Sequence, residues 1–472
     1  MTPDNKSGRW HLLVWASPLA GFLASFAFFL TAYQYHLMRR EQINLFLYDW
    51  DYISTTYRGS GWLARLVSDF LEQFFGIPVI GPLIVALLIT ATAMVTFRIC
   101  RRFLNIRISF LISAAIFVWS FLRETENRFC TQYTVAVLGF LILFSCACAS
   151  RSKWVKALAA AISVVAGIWA FGSPVHQYYG RIIGKPEFKY ERVIALDVET
   201  SRENWDKVLK LSRKDIWINE ASYFYNLANA MKGGLGQNLL KHSQNYTGSL
   251  FLWVTDKVSD FTSSISGEVW YHLGDMTLAE QSMIVAMQAS PKHTGARFLK
   301  RMAEINLISG EYGAAQKYLN ILSKTLFYRK WALSMMPDRQ DAQTAAWLEA
   351  RRKDLPDTDL ISDRNDIRPI LLKLLEANPA NNRAREYLLC FDLMSLDLDS
   401  FMEDCTPEMM ASDIYQEATL IWLNIENGND ISDINVRDYG VSEDVESRLY
   451  RFYKAPERYR GTYWYFFSRN MQ

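Results

Sequence analysis

From about residue 10 to 172 the chain consists of long apolar runs broken by short polar loops. From about residue 186 onward, apolar residues recur at helical spacing among charges of both signs. The first pattern is that of segments held in lipid. A bilayer core about 30 Å thick is crossed by roughly 20 apolar residues rising 1.5 Å each, with every backbone amide paired inside the helix. Five segments come near that length: residues 10–35, 79–97, 106–122, 131–150 and 155–172. The second pattern predicts paired amphipathic helices. The expected fold is therefore mainly α, with a membrane domain over residues 1–180 and a helical-repeat domain over residues 186–472.

The first apolar run follows Lys6 and Arg9 but is longer than the core of a signal peptide, so it reads as an uncleaved anchor. Arg98, Arg101, Arg102 and Arg107 crowd one short loop, and Arg151, Lys153 and Lys156 another. Basic loops stay in the cytoplasm, and five crossings then export everything after Gly172. Arg39 and Arg40 weigh weakly the other way. The expected location is a bacterial inner membrane, multi-pass, with the C-terminal domain periplasmic. The last four segments carry no ionisable residue near their middles, which counts against transport.

Between the first two segments, Trp62, Leu63, Leu66, Val67, Phe70, Leu71, Phe74 and Phe75 fall on one arc, with Arg65, Ser68, Asp69, Glu72 and Gln73 on the other. Doublets every four residues predict an amphipathic helix over 62–75, capped by Ser60 and ended by Gly76 and Pro78. Too short and charged to span, it is expected on the membrane surface, with Trp62, Leu66, Phe70 and Phe74 toward the lipids.

Just ahead of it, Asp49 and Asp51 flank Trp50, with Arg58 nearby. In an extended segment the two carboxylates share a face and can serve as a general base, and Arg58 can clamp a pyrophosphate. This loop resembles that of the C-superfamily membrane glycosyltransferases. The resemblance implies a lipid-phosphate sugar donor and a catalytic role for Asp49 or Asp51. Those enzymes have a larger core of membrane helices than this chain offers. The other reading is that Asp49, Asp51, Arg58 and Arg65 are solvated or mutually paired.

In the second half, "GEVWYHLGDMTLAEQSMIVAMQASP" places Gly267 and Trp270 on a first helix, Gly274-Asp275 at a turn, Ala279, Met283 and Ala286 on a second helix, and Pro291 at its close. It resembles the tetratricopeptide repeat. A second copy lies 36 residues on, with Ala303, Gly310 and Ala315 in the corresponding places. The resemblance implies an α-solenoid that holds a peptide or protein in a groove, for which Tyr223, Asn226, Asn229 and Trp270 are candidates. Residues 355–367 read as a linker. Cys390 and Cys405 flank a helix turn and are a candidate disulfide. The aromatic, basic tail after Tyr450 reads as a cap on the last repeat, with bilayer contact through Tyr463, Trp464 and Tyr465 as the alternative.

A formal charge of +2 carries no signal for nucleic acid. The histidines are isolated, and no zinc-type cysteine pair, Walker loop or nucleophile elbow occurs. No cofactor or metal is expected. The expected partners are membrane lipids and an unidentified protein or peptide. The sugar-transferase reading of Asp49, Asp51 and Arg58 stands as the alternative.

Overall fold

The computed structural model describes residues 4–126, 130–147, 153–171, 185–214, 219–252, 259–356, 366–428 and 430–471. Arg151, Gly172, His176 and most of the 355–367 stretch lie outside them. Among the described residues the protein is all helix, without a β-sheet. It divides into two compact units. The first comprises Met1–Ile194 with Ser290–Ala303 and Gly313–Gln340; the second comprises Ala195–Ala289, Glu304–Tyr312 and Asp341–Gln472.

Unit 1 opens with α1 (Asp4–Thr31), α2 (Gln34–Gln42), α3 (Trp50–Thr56) and α4 (Trp62–Glu72). The apolar helices follow: α5 (Ile80–Cys100), α6 (Ile106–Glu124), α7 (Cys130–Ala147) and α8 (Lys153–Phe171). Only α5 and α6 are by themselves long and apolar enough to cross a bilayer. Ala16–Thr31 and Gln34–Gln42, bent by 70° at the break between them, make a third candidate if taken as one span. This corrects the expected five. The apolar parts of α7 and α8 are Thr131–Ala147 and Ala157–Ala170, which at 1.5 Å per residue reach only about 26 and 21 Å. The first segment fails as a straight rod because the helix breaks after Thr31. Tyr33 is fully buried there, and its hydroxyl donates to the Thr125 carbonyl at 3.1 Å.

Phe29, Tyr33, Leu37, Phe75, Val85 and Ile89 form the core of this bundle. α5 packs on α1, α6 and α7, and α7 on α8. Reversal at each loop brings the end of α1, the start of α5, the end of α6, the start of α7 and the end of α8 to one side. Arg98, Arg101, Arg102 and Arg107 are exposed at the opposite end of α5 and α6.

Chain order continues through α9 (Phe188–Ser201), α10 (Trp205–Ser212), α11 (Asn219–Met231), α12 (Leu235–Asn238), α13 (Asp260–Leu273) and α14 (Met276–Ala289). Next come α15 (Ala296–Ile308), α16 (Tyr312–Leu322), α17 (Arg329–Ser334), α18 (Ala342–Arg352), α19 (Ile367–Ala377) and α20 (Asn382–Ser395). The last four are α21 (Leu398–Asp404), α22 (Asp413–Glu426), α23 (Glu443–Lys454) and α24 (Tyr463–Asn470).

In unit 2, α13 and α14 form a hairpin. Gly274 ends α13 with a φ of 114°, and the Asp275 carboxylate accepts the Leu278 amide at 2.8 Å. Ala279, Met283 and Ala286 are fully buried in α14. A Cβ on Gly267 would lie 2.7 Å from Ser282 Cβ, so the helices cross where only glycine fits. Distant segments cover this hairpin. Trp270 stacks on Phe251, His272 meets Trp205, and the Tyr271 carbonyl accepts from Arg351. No solenoid emerges among the described residues. A left-handed glycine and small crossing residues specify a hairpin, and what lies against it is decided elsewhere.

Tyr223, Asn226, Asn229 and Trp270 are buried, so they line no open groove. The Tyr223 hydroxyl donates to the Ile265 carbonyl at 2.6 Å and Asn226 Nδ2 to that of Ser249 at 2.9 Å. Ala303 and Ala315 are fully buried, and Gly310 takes a φ of 80° at the end of α15. Pro291 follows the end of α14 directly. Cys390 and Cys405 are free thiols; Cys390 Sγ sits 3.7 Å from the Tyr415 hydroxyl. The tail is a seal: Tyr463, Trp464 and Tyr465 are buried rather than turned to a bilayer. Trp464 packs in a core with Leu420, Val445, Leu449 and Phe452.

Candidate functional site

Asp49 and Asp51 do not share an extended face. Asp49 is the N-cap of α3, its carboxylate accepting the Tyr52 amide at 3.1 Å, and Asp51 lies in the first turn. Residues two apart on a helix point in different directions. Lys324 donates to Asp49 at 2.5 Å and holds its carboxyl below the usual range, while the Asp51 side chain is exposed. Arg58 Nε donates to the Ser54 carbonyl at 2.5 Å, and the Arg58 carbonyl accepts from Arg65. The three groups thus have local structural duties. A cleft nearby, between Glu41, Asn44, Phe46, Gln73, Thr325 and Tyr328, has a volume of about 20 Å³. That is room for a water rather than a sugar.

The opening of α4 differs from expectation in a similar way. Its N-cap is Gly61, at a φ of 74°, and the Ser60 hydroxyl donates instead to the Ile168 carbonyl at the end of α8. The Gly61 amide donates to the Trp169 carbonyl at 2.9 Å, and the Trp62 ring meets Trp169 edge-on.

Beyond that turn α4 is inverted relative to a helix on a soluble protein. Its buried residues are Ala64, Ser68, Asp69 and Glu72, whereas Leu66 and Phe74 are half-buried and Phe70 is exposed. The polar arc points inward because it meets charges there. Lys292 Nζ lies 2.6 Å from Asp69 and 4.0 Å from Glu72, and also donates to Asn44 at 2.7 Å. Arg40 bridges Glu72 and Glu124, each at 3.1 Å, with its guanidinium 5.0 Å from the Phe75 ring centre. Glu124 also accepts from the Thr134 hydroxyl at 2.5 Å, and Arg40 donates to Thr131. The Tyr57 hydroxyl donates to Asp69 at 3.0 Å.

The result is an unbroken polar chain, Tyr57–Asp69–Lys292–Glu72–Arg40–Glu124, crossing α2, α4, α6 and the turn after α14. Every carboxylate in it is buried. Burial pushes the Asp69 carboxyl above the ordinary range, an effect that Lys292 opposes. Burial also works against the Lys292 charge, but Asp69 and Glu72 more than offset it and hold the ammonium above its usual range. Burial raises the Tyr57 hydroxyl far above a normal phenol, so it stays a donor. Acids alternate with bases, so each charge has opposite-signed neighbours, and the chain clamps its elements together in a medium that would otherwise expel them.

A second polar anchor lies beside it. Glu191 on α9 accepts the amides of Tyr35 at 2.7 Å and His36 at 2.9 Å, capping the first turn of α2 from 155 residues away.

The sequence reading missed these groups. It treated Arg40 as a weak orientation signal, Glu124 as a loop charge and Asp69 and Glu72 as a solvated arc. A signal existed: charges next to segments bound for lipid need partners. Lys292, from beyond α14, carried none.

No metal-ligand cluster of His, Cys, Asp and Glu occurs among the described residues. No curated protein and no solved structure matches the chain. A family of unknown function, DUF6057, matches residues 9–183 and 176–470 and so covers nearly the whole sequence; the chain belongs to that family.

Proposed function

We propose that this protein is a multi-pass membrane anchor whose helical unit holds another polypeptide at the outer face of a bacterial inner membrane. The observation that carries the binding role is α23. Its inner face buries Val445, Leu449 and Phe452, while Tyr450 and Tyr453 stand 59% and 60% exposed on the outer one. Ile425 of α22 is also half exposed, and Asn424 beside it reaches the Tyr453 hydroxyl. Large aromatic rings held on a rigid helix and left in water are the groups that supply most of the energy in protein interfaces. Hairpins such as α13–α14, the unit that tetratricopeptide-like arrays repeat, would provide the stiff support.

The side follows from the ends of the helices. Basic loops face the cytoplasm, which assigns the Arg98–Arg107 end inward and the α2–α4 end outward. The chain leaves α8 at the α2–α4 end whether or not the α7–α8 hairpin crosses, so the side does not depend on counting it. The membrane lipids contact the outward arc of α4 in this reading. A sugar-transferase role is less favoured, because Asp49 is committed to a cap and to Lys324, and the cleft nearby is small.

A photo-crosslinking amino acid placed at Tyr450 or Tyr453 of the full chain, in intact cells, tests the binding role. Discrete adducts at both positions, absent at the exposed Gln343 of α18, are expected. Equal, diffuse labelling at all three would end the proposal. Gln343→Cys, modified by an impermeant maleimide in intact spheroplasts, reports the side; modification only after lysis would place the unit in the cytoplasm.

A further inference from the structure

We infer that the segment 324–331, "KTLFYRKW", is a second membrane foot, which seats with α4 on the anionic phospholipid headgroups of the bilayer the helices cross. The inference rests on the membrane anchoring proposed above and adds a site drawn from the other half of the sequence. The segment groups with the apolar helices in unit 1.

Five rings run in continuous contact across three distant stretches of chain. Tyr48 meets Phe46 at 5.3 Å between centres, Phe46 meets Phe70 at 5.7 Å, Phe70 meets Phe74 at 5.6 Å and Phe74 meets Phe327 at 5.5 Å. The outer members of this row are open to solvent: Tyr48 is 49% exposed, Phe70 39% and Phe327 43%, with Leu326 beside it at 47%. Such a contiguous apolar ridge on the surface calls for a covering phase.

Its level identifies that phase. Gly81, in the first turn of α5, lies so close to the end of the ridge helix that a Cβ there would be 3.0 Å from Phe75 Cα. The ridge therefore sits where the longest apolar helix begins, at the height of the headgroups. Arg329 and Lys330 follow Phe327 directly and are both exposed. Lys300 Nζ lies 5.1 Å from the Trp331 ring centre and adds a cation nearby. Aromatic rings next to free cations match the boundary between acyl chains and phosphates, where rings insert and each cation gains from a negative surface. The polar side of α4 is already engaged by Lys292 and Arg40, so only its apolar side is left to face outward.

The test uses the native full chain in nanodiscs containing a phospholipid with a photoactivatable diazirine near the glycerol, followed by tryptic peptide mapping. Trypsin releases residues 325–329 as one peptide and residues 108–123 of α6 as another. Labelling of both is expected, with the 325–329 signal rising roughly twofold when phosphatidylglycerol is mixed into phosphatidylcholine. Arg329→Gln with Lys330→Gln, both at exposed positions, should abolish that rise while leaving 108–123 unchanged. A labelled 108–123 with an unlabelled 325–329 would overturn the foot and spare the anchor. Labelling indifferent to phosphatidylglycerol would overturn it as an anionic-headgroup site. Failure of both peptides to label would remove the membrane anchoring and the foot together.

Discussion

Lys292 Nζ lies 2.6 Å from Asp69 Oδ1, an ion pair between residues 223 positions apart, and it is the one salt link by which the turn after α14 reaches α4. Replacing either partner alone leaves an uncompensated charge beside Glu72. Lys292→Met is expected to cost about 2 to 4 kcal/mol, toward the lower end of what breaking a buried pair costs, because the Lys292 side chain keeps 28% exposure. The double variant Lys292→Met with Asp69→Asn should recover most of the loss. Thermal unfolding of the detergent-solubilised protein reads both; equal losses in the single and double variants would deny the coupling.

Glu417 on α22 supplies a pH dependence. Burial raises its carboxyl to about 7, although the Tyr463 amide donating at 2.6 Å and Arg448 favour the charged form. Its unfolded value is the ordinary 4.5. Between these values the folded state binds more protons than the unfolded one, so stability falls as pH rises from about 4.5 to 7 and is flat above. The loss is on the order of 2 to 3 kcal/mol. The Trp464 indole donates to the Glu417 carbonyl at 3.0 Å, so tryptophan fluorescence during denaturation at several pH values follows this contact. Glu417→Gln should flatten the profile over that window.

Gly267 tests the α13–α14 crossing. A methyl there would press on Ser282 Cβ at 2.7 Å and Met283 Cε at 2.8 Å. Gly267→Ala is expected to destabilise by about 1 to 3 kcal/mol despite the better helix propensity of alanine. Adding Ser282→Gly should return part of that. Urea unfolding midpoints decide; an unchanged midpoint in Gly267→Ala would mean the helices are farther apart.

Asp49 and Asp51 separate a cap from a catalytic pair. Asp49→Ala should speed hydrogen exchange in the first turn of α3, at Tyr52 above all, whereas Asp49→Asn should largely preserve it because asparagine also caps well. Asp51→Ala should leave exchange there nearly unchanged. Matching effects at the two positions would revive the paired-carboxylate reading.

Much of this architecture was legible in the chain, and the limits have physical causes. The helix over 62–75 and the hairpin around Gly274 follow from local rules: a 3.6-residue period, a left-handed glycine, small residues at a crossing. Apolar length gave the right places for α5 and α6 but overcounted spans, since hydropathy does not register a break such as that after Thr31 or a helix that runs short. For α4 the amphipathic period was right, while the arc that turns inward was settled by Lys292 and Arg40, which no window around residue 69 contains. Asp49 and Asp51 looked paired only while their segment was taken as extended; helix formation from Trp50 parted them.

The sequence by itself determined the helices, the apolar character of the N-terminal third and the turns, because each of these arises from neighbours within a few residues. Tertiary structure alone decided which charges are buried, which aromatic rings are left uncovered and which stretches of the second half join the membrane helices. Those outcomes depend on contacts between residues hundreds of positions apart, where the cost of burying a charge can be met only by a partner that local patterning cannot name.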